Sequence, residues 1–342
     1  MLKTKNYFAY LLIVSLGLSC KKETAYDVTG NPQVKFFTNN TASGNAPDNS
    51  ISYSVVNIPD VAGSGLVNLS NNLPAAIKFP VFATKAVSQD VAIGAELDNS
   101  LIEKYNAAHG TSYKPFPAGI LKTTGLMAHL TNGSSTSADS ITIQTDLTTV
   151  NVMNEKAYMA PIKLTTVSNA GVGVITDNGT SQVVYIVSNV ELRRIKYLAT
   201  TADIIGALVS PRTAWTAGFN PAPTTSGSIF DGSTTTFSRW GVSPGLLDVN
   251  MQATKNVTGI RLYTTNSATL IPTQVEVYLS NDGLSYDFIG APLRANLTYV
   301  SSYNYILFYK PIPAKYIRLK LYYSTSTNTQ NTRVTEFDVY AN

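Results

Sequence analysis

The sequence predicts an all-β protein with two sandwich domains and one short helix. Short runs in which apolar and polar residues alternate recur through both halves of the chain. Gly, Pro, Asn, Asp and Ser separate these runs, and these residues are typical of tight turns. With 342 residues, the chain is longer than one hydrophobic core usually organises, so two domains are expected.

Residues 1–19 have the pattern of a secretory signal peptide. Lys3 and Lys5 precede an apolar run over residues 7–18. A helix of about twelve residues spans only ~18 Å, well short of the ~30 Å hydrocarbon core of a bilayer. The segment is therefore predicted to direct export and not to remain as a membrane span.

Cys20 is the only cysteine of the chain, so it can form no internal disulfide, and it lies where signal cleavage would fall. Residues 16–20, Leu-Gly-Leu-Ser-Cys, resemble a bacterial lipobox, with Gly17 where the motif usually has Leu. Residues 21–23, Lys-Lys-Glu, are similar to the export tag of Bacteroidetes surface lipoproteins. The resemblance implies a lipid on Cys20 and an exposed position on the outer membrane. The alternative is ordinary cleavage that leaves a free thiol.

The charge of the chain gives no sign of nucleic-acid binding. Removing residues 1–19 takes two lysines from a total of 25 basic residues, against 21 acidic ones, which leaves a net charge of +2. No basic cluster is visible, and nucleic-acid binding proteins usually carry one.

The first domain is predicted over residues 35–190, after a polar tether at residues 20–34. Ile77, Phe79 and Val81 alternate with other residues and would share one face of an extended chain. Further strands are predicted in residues 91–95, 140–145, 160–166 and 182–187.

One helix is predicted from Leu101 to His109. Ser100 and Glu103 have the spacing of a capping box at its start. Gly110 supplies the residue at which such a helix ends.

Three segments of this half, residues 96–106, 109–113 and 158–164, resemble the Bacteroidetes domain of unknown function 1735. The resemblance covers roughly residues 35–190. It implies an immunoglobulin-like module near the N-terminus of a surface lipoprotein, sometimes ahead of a family 18 glycoside hydrolase domain. The acidic signature of that hydrolase is missing from residues 191–342, so the first domain is interpreted as a spacer or assembly module.

The second domain is predicted over residues 191–342. Residues 257–263, 274–279 and 316–322 alternate cleanly and are predicted strands of an antiparallel sheet. Asn281-Asp-Gly283 has the composition of a hairpin turn, in which Gly accepts the positive φ.

Four blocks of this half occur in the order of a known family: residues 230–236, 247–251, 275–286, and 314–319 with 335–340. Together they resemble the coagulation factor V/VIII type C, or discoidin, domain, whose sugar-binding members include family 32 carbohydrate-binding modules. The resemblance implies a galactose-binding-like jelly-roll sandwich.

The same resemblance implies a structural calcium site. Its ligands would be Asp231, Ser233, Thr236 and Glu336, with Ser233 where the family usually has Asp. Oxygen ligands suit a hard cation. The alternative is a simple turn in which Asp231 accepts hydrogen bonds from nearby backbone amides.

A sugar site needs an apolar platform and a few oriented polar groups. The two tryptophans, Trp215 and Trp240, are the candidate platforms, although the family's Trp at the place of Trp240 is usually structural, and the core is the favoured alternative for it. The family's site loops offer further candidates: Arg239, Asn266, Tyr303, Tyr305, Asn331 and Arg333.

The expected function is non-catalytic glycan binding at the cell surface in polysaccharide capture. The alternative is an adhesion or assembly protein whose second domain binds a protein partner. Both histidines, His109 and His129, lie in the first domain, so the His of galactose-binding members has no counterpart. No His-based triad, phosphate loop or zinc spacing indicates an enzyme.

Overall fold

The computed structural model describes residues 33–40, 49–59, 65–264, 271–300, 303–323 and 332–342. Within these ranges, no helix is long and apolar enough to cross a membrane. The predicted signal peptide and three candidate residues, Cys20, Asn266 and Asn331, lie outside the described residues.

The first domain is built from short strands with two helices on its periphery. The helices are α1 (Ser100–His109) and α2 (Gly179–Gln182), and a 3-10 segment covers Leu147–Val152. The strands are β1 (Val34–Phe37), β2 (Ser50–Pro59), β3 (Leu66–Asn71), β4 (Ala76–Phe79), β5 (Phe82–Ala83), β6 (Val91–Leu97), β7 (Lys114–Pro115), β8 (Leu121–Lys122), β9 (Leu126–Leu130), β10 (Ile141–Thr145), β11 (Ala157–Val167), β12 (Gly173–Ile175) and β13 (Val183–Leu192).

One large sheet and two small ones enclose the core of the first domain. The large sheet has the order β3-β2-β13-β11-β6-β9, with β7 beside β11, and the small sheets are β12-β1-β5 and β4-β10-β8. Ile77, Phe79 and Val81 are buried with Ile93 and Ile141 in one cluster that draws on all three sheets. The alternating apolar residues of this segment therefore form a buried face of the sandwich, as the sequence predicts.

Helix α1 confirms the predicted helix and corrects its predicted cap. It ends at Gly110, which has the left-handed φ of 64°. The capping box of Ser100 and Glu103 does not form, because Ser100 is already inside the helix. Its backbone N and its Oγ instead donate to Asp98 Oδ1, at 3.2 and 2.5 Å. A carboxylate is a stronger acceptor than a hydroxyl, so Asp98 takes both donors.

The second domain is a β-sandwich, and its described residues include the 3-10 segments Thr201–Asp203 and Arg294–Asn296. Its strands are β14 (Ala207–Leu208), β15 (Thr216–Asn220), β16 (Ser238–Trp240), β17 (Gly245–Tyr263), β18 (Gln274–Ser280), β19 (Asp287–Gly290), β20 (Thr298–Val300), β21 (Tyr303–Tyr322), β22 (Thr332–Val334) and β23 (Glu336–Ala341).

The long antiparallel pair β17 and β21 organises this domain. The sheet order is β14-β23-β17-β21-β18-β19, with β15 beside β17 and β20 beside β21, and β16 and β22 form a separate ribbon. Leu247, Val249 and Leu319 alternate into a buried core that also holds Phe308 and Phe337. The predicted all-β fold class is confirmed.

A bend in the pair β17–β21 brings its two ends together. The register shifts between Asn250 and Lys255, where Gln252 has a φ of 67°. Beyond the bend, the Tyr263 carbonyl accepts from the Thr335 amide at 2.8 Å. At the other end of the pair, the Tyr323 hydroxyl donates to the Arg333 carbonyl at 3.3 Å. The ends of β16, β17 and β21 and the start of β22 therefore meet at one end of the sandwich.

Candidate ligand-binding site

Two of the predicted site residues, Arg239 and Arg333, are cross-strand partners in the ribbon of β16 and β22. The preceding pair of the ribbon, Ser238 and Val334, is fully buried. Successive side chains of a strand point to opposite faces. Arg239 and Arg333 therefore lie side by side on the face that points away from the core.

Arg333 lies against an aromatic ring. Its guanidinium carbon is 3.8 Å from the centre of the Phe237 ring, and its Nε donates to Thr335 Oγ1 at 3.3 Å. Burial lowers the pKa of the Arg333 guanidinium, and the like charge of Arg239 lowers it further. Among the residues that the structure describes, no carboxylate lies within 4 Å of Arg333.

Two half-buried tyrosines continue this surface. Tyr263 interacts electrostatically with Arg333, and its ring meets Tyr303 edge to face, with the ring centres 4.9 Å apart. The Arg261 guanidinium lies 4.3 Å from the centre of the Tyr303 ring. Tyr305, the other tyrosine considered from the sequence, is buried in a small cluster and offers no ring face.

Sequence reasoning missed Tyr263 and Phe237 as members of this surface. Tyr263 is the last residue of a predicted strand, and its alternation alone does not show which neighbours it meets. Phe237 is two residues before Arg239 and so shares its face of the strand. That spacing is the one signal in the sequence that could have indicated it.

The structure describes the side chain of Trp215 but only the backbone of Trp240. Trp215 is 8% exposed and packs in the core, edge to face with Phe230 at 5.7 Å between ring centres. A stacking platform needs an exposed ring face, so Trp215 has the geometry of a core residue. The backbone of Trp240 pairs with Thr332, but its side chain is outside the described atoms.

The side chains of the turn around Asp231 form hydrogen bonds within the turn. Asp231 Oδ1 accepts from the Ser233 amide at 2.9 Å, and Oδ2 accepts from the Thr236 hydroxyl at 2.8 Å. The Ser233 and Thr235 hydroxyls bond each other at 2.9 Å. Three of the four predicted calcium ligands therefore make local hydrogen bonds of the kind that the turn alternative predicts.

The fourth predicted ligand, Glu336, already faces a cation. Its carboxylate forms an ion pair with Arg212 and accepts from the Gly232 amide at 3.2 Å. The same Arg212 nitrogen lies 2.7 Å from Asp338 Oδ1 and donates to the Phe337 carbonyl at 2.7 Å. Burial raises the pKa of Glu336, and the charge of Arg212 opposes that rise.

As arranged, these side chains do not fit a calcium ion. Within the described ranges, no group of three or more His, Cys, Asp and Glu side chains is placed to hold a metal. Asp231 and Glu336 are the only carboxylates of the predicted set, and Arg212 supplies the positive charge beside Glu336.

We therefore expect calcium to leave the melting temperature of the second domain unchanged. A bound ion raises that temperature by mass action, whereas a site that an arginine already fills gains nothing. The measurement is thermal unfolding in EDTA and in excess calcium, with Asp231→Ala beside the parent chain. A calcium-dependent rise that disappears in Asp231→Ala would restore the metal site.

Comparisons with known proteins match both halves of the chain. A family model of an N-terminal domain matches residues 49–171, and the model of the F5/8 type C domain matches residues 211–337. A search of curated proteins gave no match. The two halves of the chain are thus similar to these two domain families, and both resemblances found in the sequence are confirmed.

Solved structures are similar in fold. A two-domain protein of unknown function from Bacteroides fragilis is 14% identical over 99% of this chain and 100% of its own, with a TM-score of 0.52. The family 32 carbohydrate-binding module of Clostridium perfringens NanJ, solved with galactose, is 20% identical over 40% of this chain and 99% of its own, with a TM-score of 0.34. The first similarity shows that the two-domain arrangement of sandwiches is a shared fold.

Proposed function

We propose that this protein binds glycans without catalysis, in polysaccharide capture at the outer membrane, where a lipid on Cys20 anchors it. One observation carries the glycan part of the proposal. One end of an F5/8 type C domain gathers arginine and tyrosine side chains on a single surface, named here the arginine–tyrosine surface. Its members are Phe237, Arg239, Tyr263, Tyr303 and Arg333.

This surface has the two kinds of group that a sugar needs. Tyrosine rings offer an apolar face to the C–H groups of a pyranose at little conformational cost. Guanidinium groups donate several hydrogen bonds in a fixed geometry to oxygen acceptors. A surface of this kind binds a saccharide by contact and needs no reacting group.

The placement of the histidines supports a non-catalytic role. Both lie in the first domain, far along the chain from the arginine–tyrosine surface. The His109 ring stacks on Tyr105 with the ring centres 4.2 Å apart. His129 Nδ1 lies 2.7 Å from Asp139 Oδ2 in an exposed pair, a partner that the sequence did not reveal.

A glycan array probed with residues 21–342 tests the proposal, and Tyr303→Ala tests the site. A hit whose affinity falls about tenfold to a hundredfold in Tyr303→Ala supports both, because a stacked ring contributes much of the energy in a shallow site. The matched control is Tyr309→Ala, six residues along the same strand and so about 20 Å away. Equal losses in both variants would count against the site.

Exposed apolar side chains favour the alternative of a protein partner. Leu284, Phe288 and Leu293 are 90%, 54% and 52% exposed along one short stretch of the second domain. A protein captured from an extract by the parent chain but not by Phe288→Ser, together with an empty glycan array, would favour adhesion or assembly over glycan binding.

Replacing Cys20 by alanine is expected to release the protein from membranes almost completely. The small net charge of the protein gives weak electrostatic attraction to lipid, so the acyl chains on Cys20 would provide nearly all of the anchoring. The measurement is membrane fractionation with labelled palmitate, and Ser19→Ala is the neighbouring control that keeps the cysteine. A Cys20→Ala protein that still fractionates with membranes would refute the lipid anchor.

A further inference from the structure

We infer that the arginine–tyrosine surface selects saccharides that carry an anionic group, a carboxylate or a sulfate. This inference rests on the proposed glycan binding and names its ligand class. It starts from Arg239 and Arg333, which share one face of a two-stranded ribbon as direct cross-strand partners. Like charges at that spacing repel each other, and an anionic ligand that contacts both would reduce that repulsion.

The sequence has no acid in four of the segments that connect the strands of the second domain. Residues 241–244, 264–273, 301–302 and 323–331 contain no Asp or Glu. They are rich in Ser, Thr and Asn, which are neutral hydrogen-bonding residues.

The two buried carboxylates that follow Arg333 in the chain already form ion pairs with other arginines. Glu336 and Asp338 both pair with Arg212, and Asp338 also pairs with Arg261 at 2.7 Å. The described interactions of the Arg333 guanidinium are with the Phe237 ring, the Thr335 hydroxyl, Tyr263 and a second arginine, and none of these is a carboxylate. Its charge is therefore available to a ligand.

The geometry of arginine favours an anion over a neutral hydroxyl. A guanidinium can donate two parallel hydrogen bonds to one carboxylate or sulfate, and such charge-assisted bonds are roughly twice as strong as neutral ones. The Phe237 ring lies 3.8 Å from the guanidinium carbon of Arg333, and this contact limits the freedom of the side chain. An arginine held in this way loses less conformational entropy when it binds.

The test compares matched saccharide pairs on residues 21–342. Polygalacturonate against its methyl ester probes a carboxylate, and heparin against desulfated heparin probes a sulfate. We expect the more highly charged member of at least one pair to bind about tenfold tighter or more, and its affinity to fall as salt rises from about 50 mM to about 500 mM. Arg333→Gln should remove about tenfold to a hundredfold of that affinity.

Controls separate a built site from general attraction to positive charge. Lys310→Gln removes one charge seven residues along β21 from Tyr303, about 23 Å away, and should leave affinity unchanged. If it lowers affinity as much as Arg333→Gln does, the inference is wrong. If Arg333→Gln fails to fold, Arg239→Gln and Arg333→Lys are measured in its place. Unchanged affinity for the anionic saccharide in both of these variants would overturn the inference.

The outcomes also distinguish this inference from the proposed function. Equal binding of the two members of each pair, with no effect of Arg333→Gln, overturns the inference and leaves glycan binding intact. A chain that binds neither these pairs nor any glycan of the array overturns the proposed function itself.

Discussion

Replacing Arg212 by methionine is expected to destabilise the second domain by about 3–5 kcal/mol. Its guanidinium, whose side chain is 15% exposed, lies between the buried carboxylates of Glu336 and Asp338, which are 3% and 5% exposed. Methionine keeps much of the apolar volume but removes the charge. Glu336 would then be left buried without a counter-charge, which is costly in a medium of low dielectric constant.

The measurement is urea unfolding of residues 21–342 followed by tryptophan fluorescence. Both tryptophans of the chain, Trp215 and Trp240, lie in the second domain, so this signal follows that domain alone. The control is Lys320→Met, which breaks the more exposed pair between Lys320 and Glu276, where the two side chains are 38% and 19% exposed. We expect that variant to lose less than about 1 kcal/mol.

A double variant tests the physical cause of the loss. Arg212→Met with Glu336→Gln removes the charge that the single variant leaves unpaired, so part of the lost stability should return. Equal destabilisation by Arg212→Met and Lys320→Met, or no recovery in the double variant, would show that Arg212 is not the counter-ion of this buried cluster.

The strands of both domains could be predicted because they depend on local alternation. Ile77 and Phe79 in the first domain and Val275 and Val277 in the second lie at every other position, and all four are buried. A two-residue period leaves its mark in the sequence before any partner strand is known. The bend at Gln252 leaves no such mark, so the sequence did not show which strand ends meet.

The role of Arg212 could not be predicted, because its partner Glu336 lies 124 positions away in the chain. Nothing in its neighbourhood, residues 211–215, marks it as buried or paired. The family resemblance pointed to Glu336 as a calcium ligand instead. A resemblance indicates which residue occupies a position, but the charge beside that residue is fixed by tertiary packing.

The pairing of Arg239 with Arg333 was only half visible from the sequence. Each arginine was a site candidate because of the loop in which the sequence placed it. Their pairing depends on the register of a short ribbon whose two strands lie about 94 positions apart in the chain. Short strands carry little alternation, and a slip of either strand by one residue would turn its arginine toward the core. The structure therefore adds the geometry on which the charge argument depends.

Replacing Trp215 by alanine is expected to cost the second domain about 3–5 kcal/mol, the usual price of removing a large aromatic side chain from a core. The Trp215 ring packs edge to face on Phe230, which in turn packs edge to face on Phe337 at 6.2 Å between ring centres. Removing the first ring opens a cavity beside the buried core that holds Phe337. Circular dichroism in urea measures the loss, since the substitution also removes half of the fluorescence signal.

The comparison of stability with binding separates a core role for Trp215 from a role as a sugar platform. Trp215→Phe keeps most of the buried area, so we expect a smaller loss of stability and unchanged affinity for any glycan found on the array. Leu284→Ala is the exposed control, at 90% exposure, and should change stability by no more than about 0.5 kcal/mol. A Trp215→Phe or Trp215→Ala chain that folds with parental stability yet binds the glycan tenfold more weakly would contradict the core assignment.

Because Trp215 follows Arg212 by three residues and its amide donates to the Arg212 carbonyl at 3.0 Å, loss of the ring should also loosen the arginine. The Trp215→Ala and Arg212→Met losses should then be less than additive when the two changes are combined.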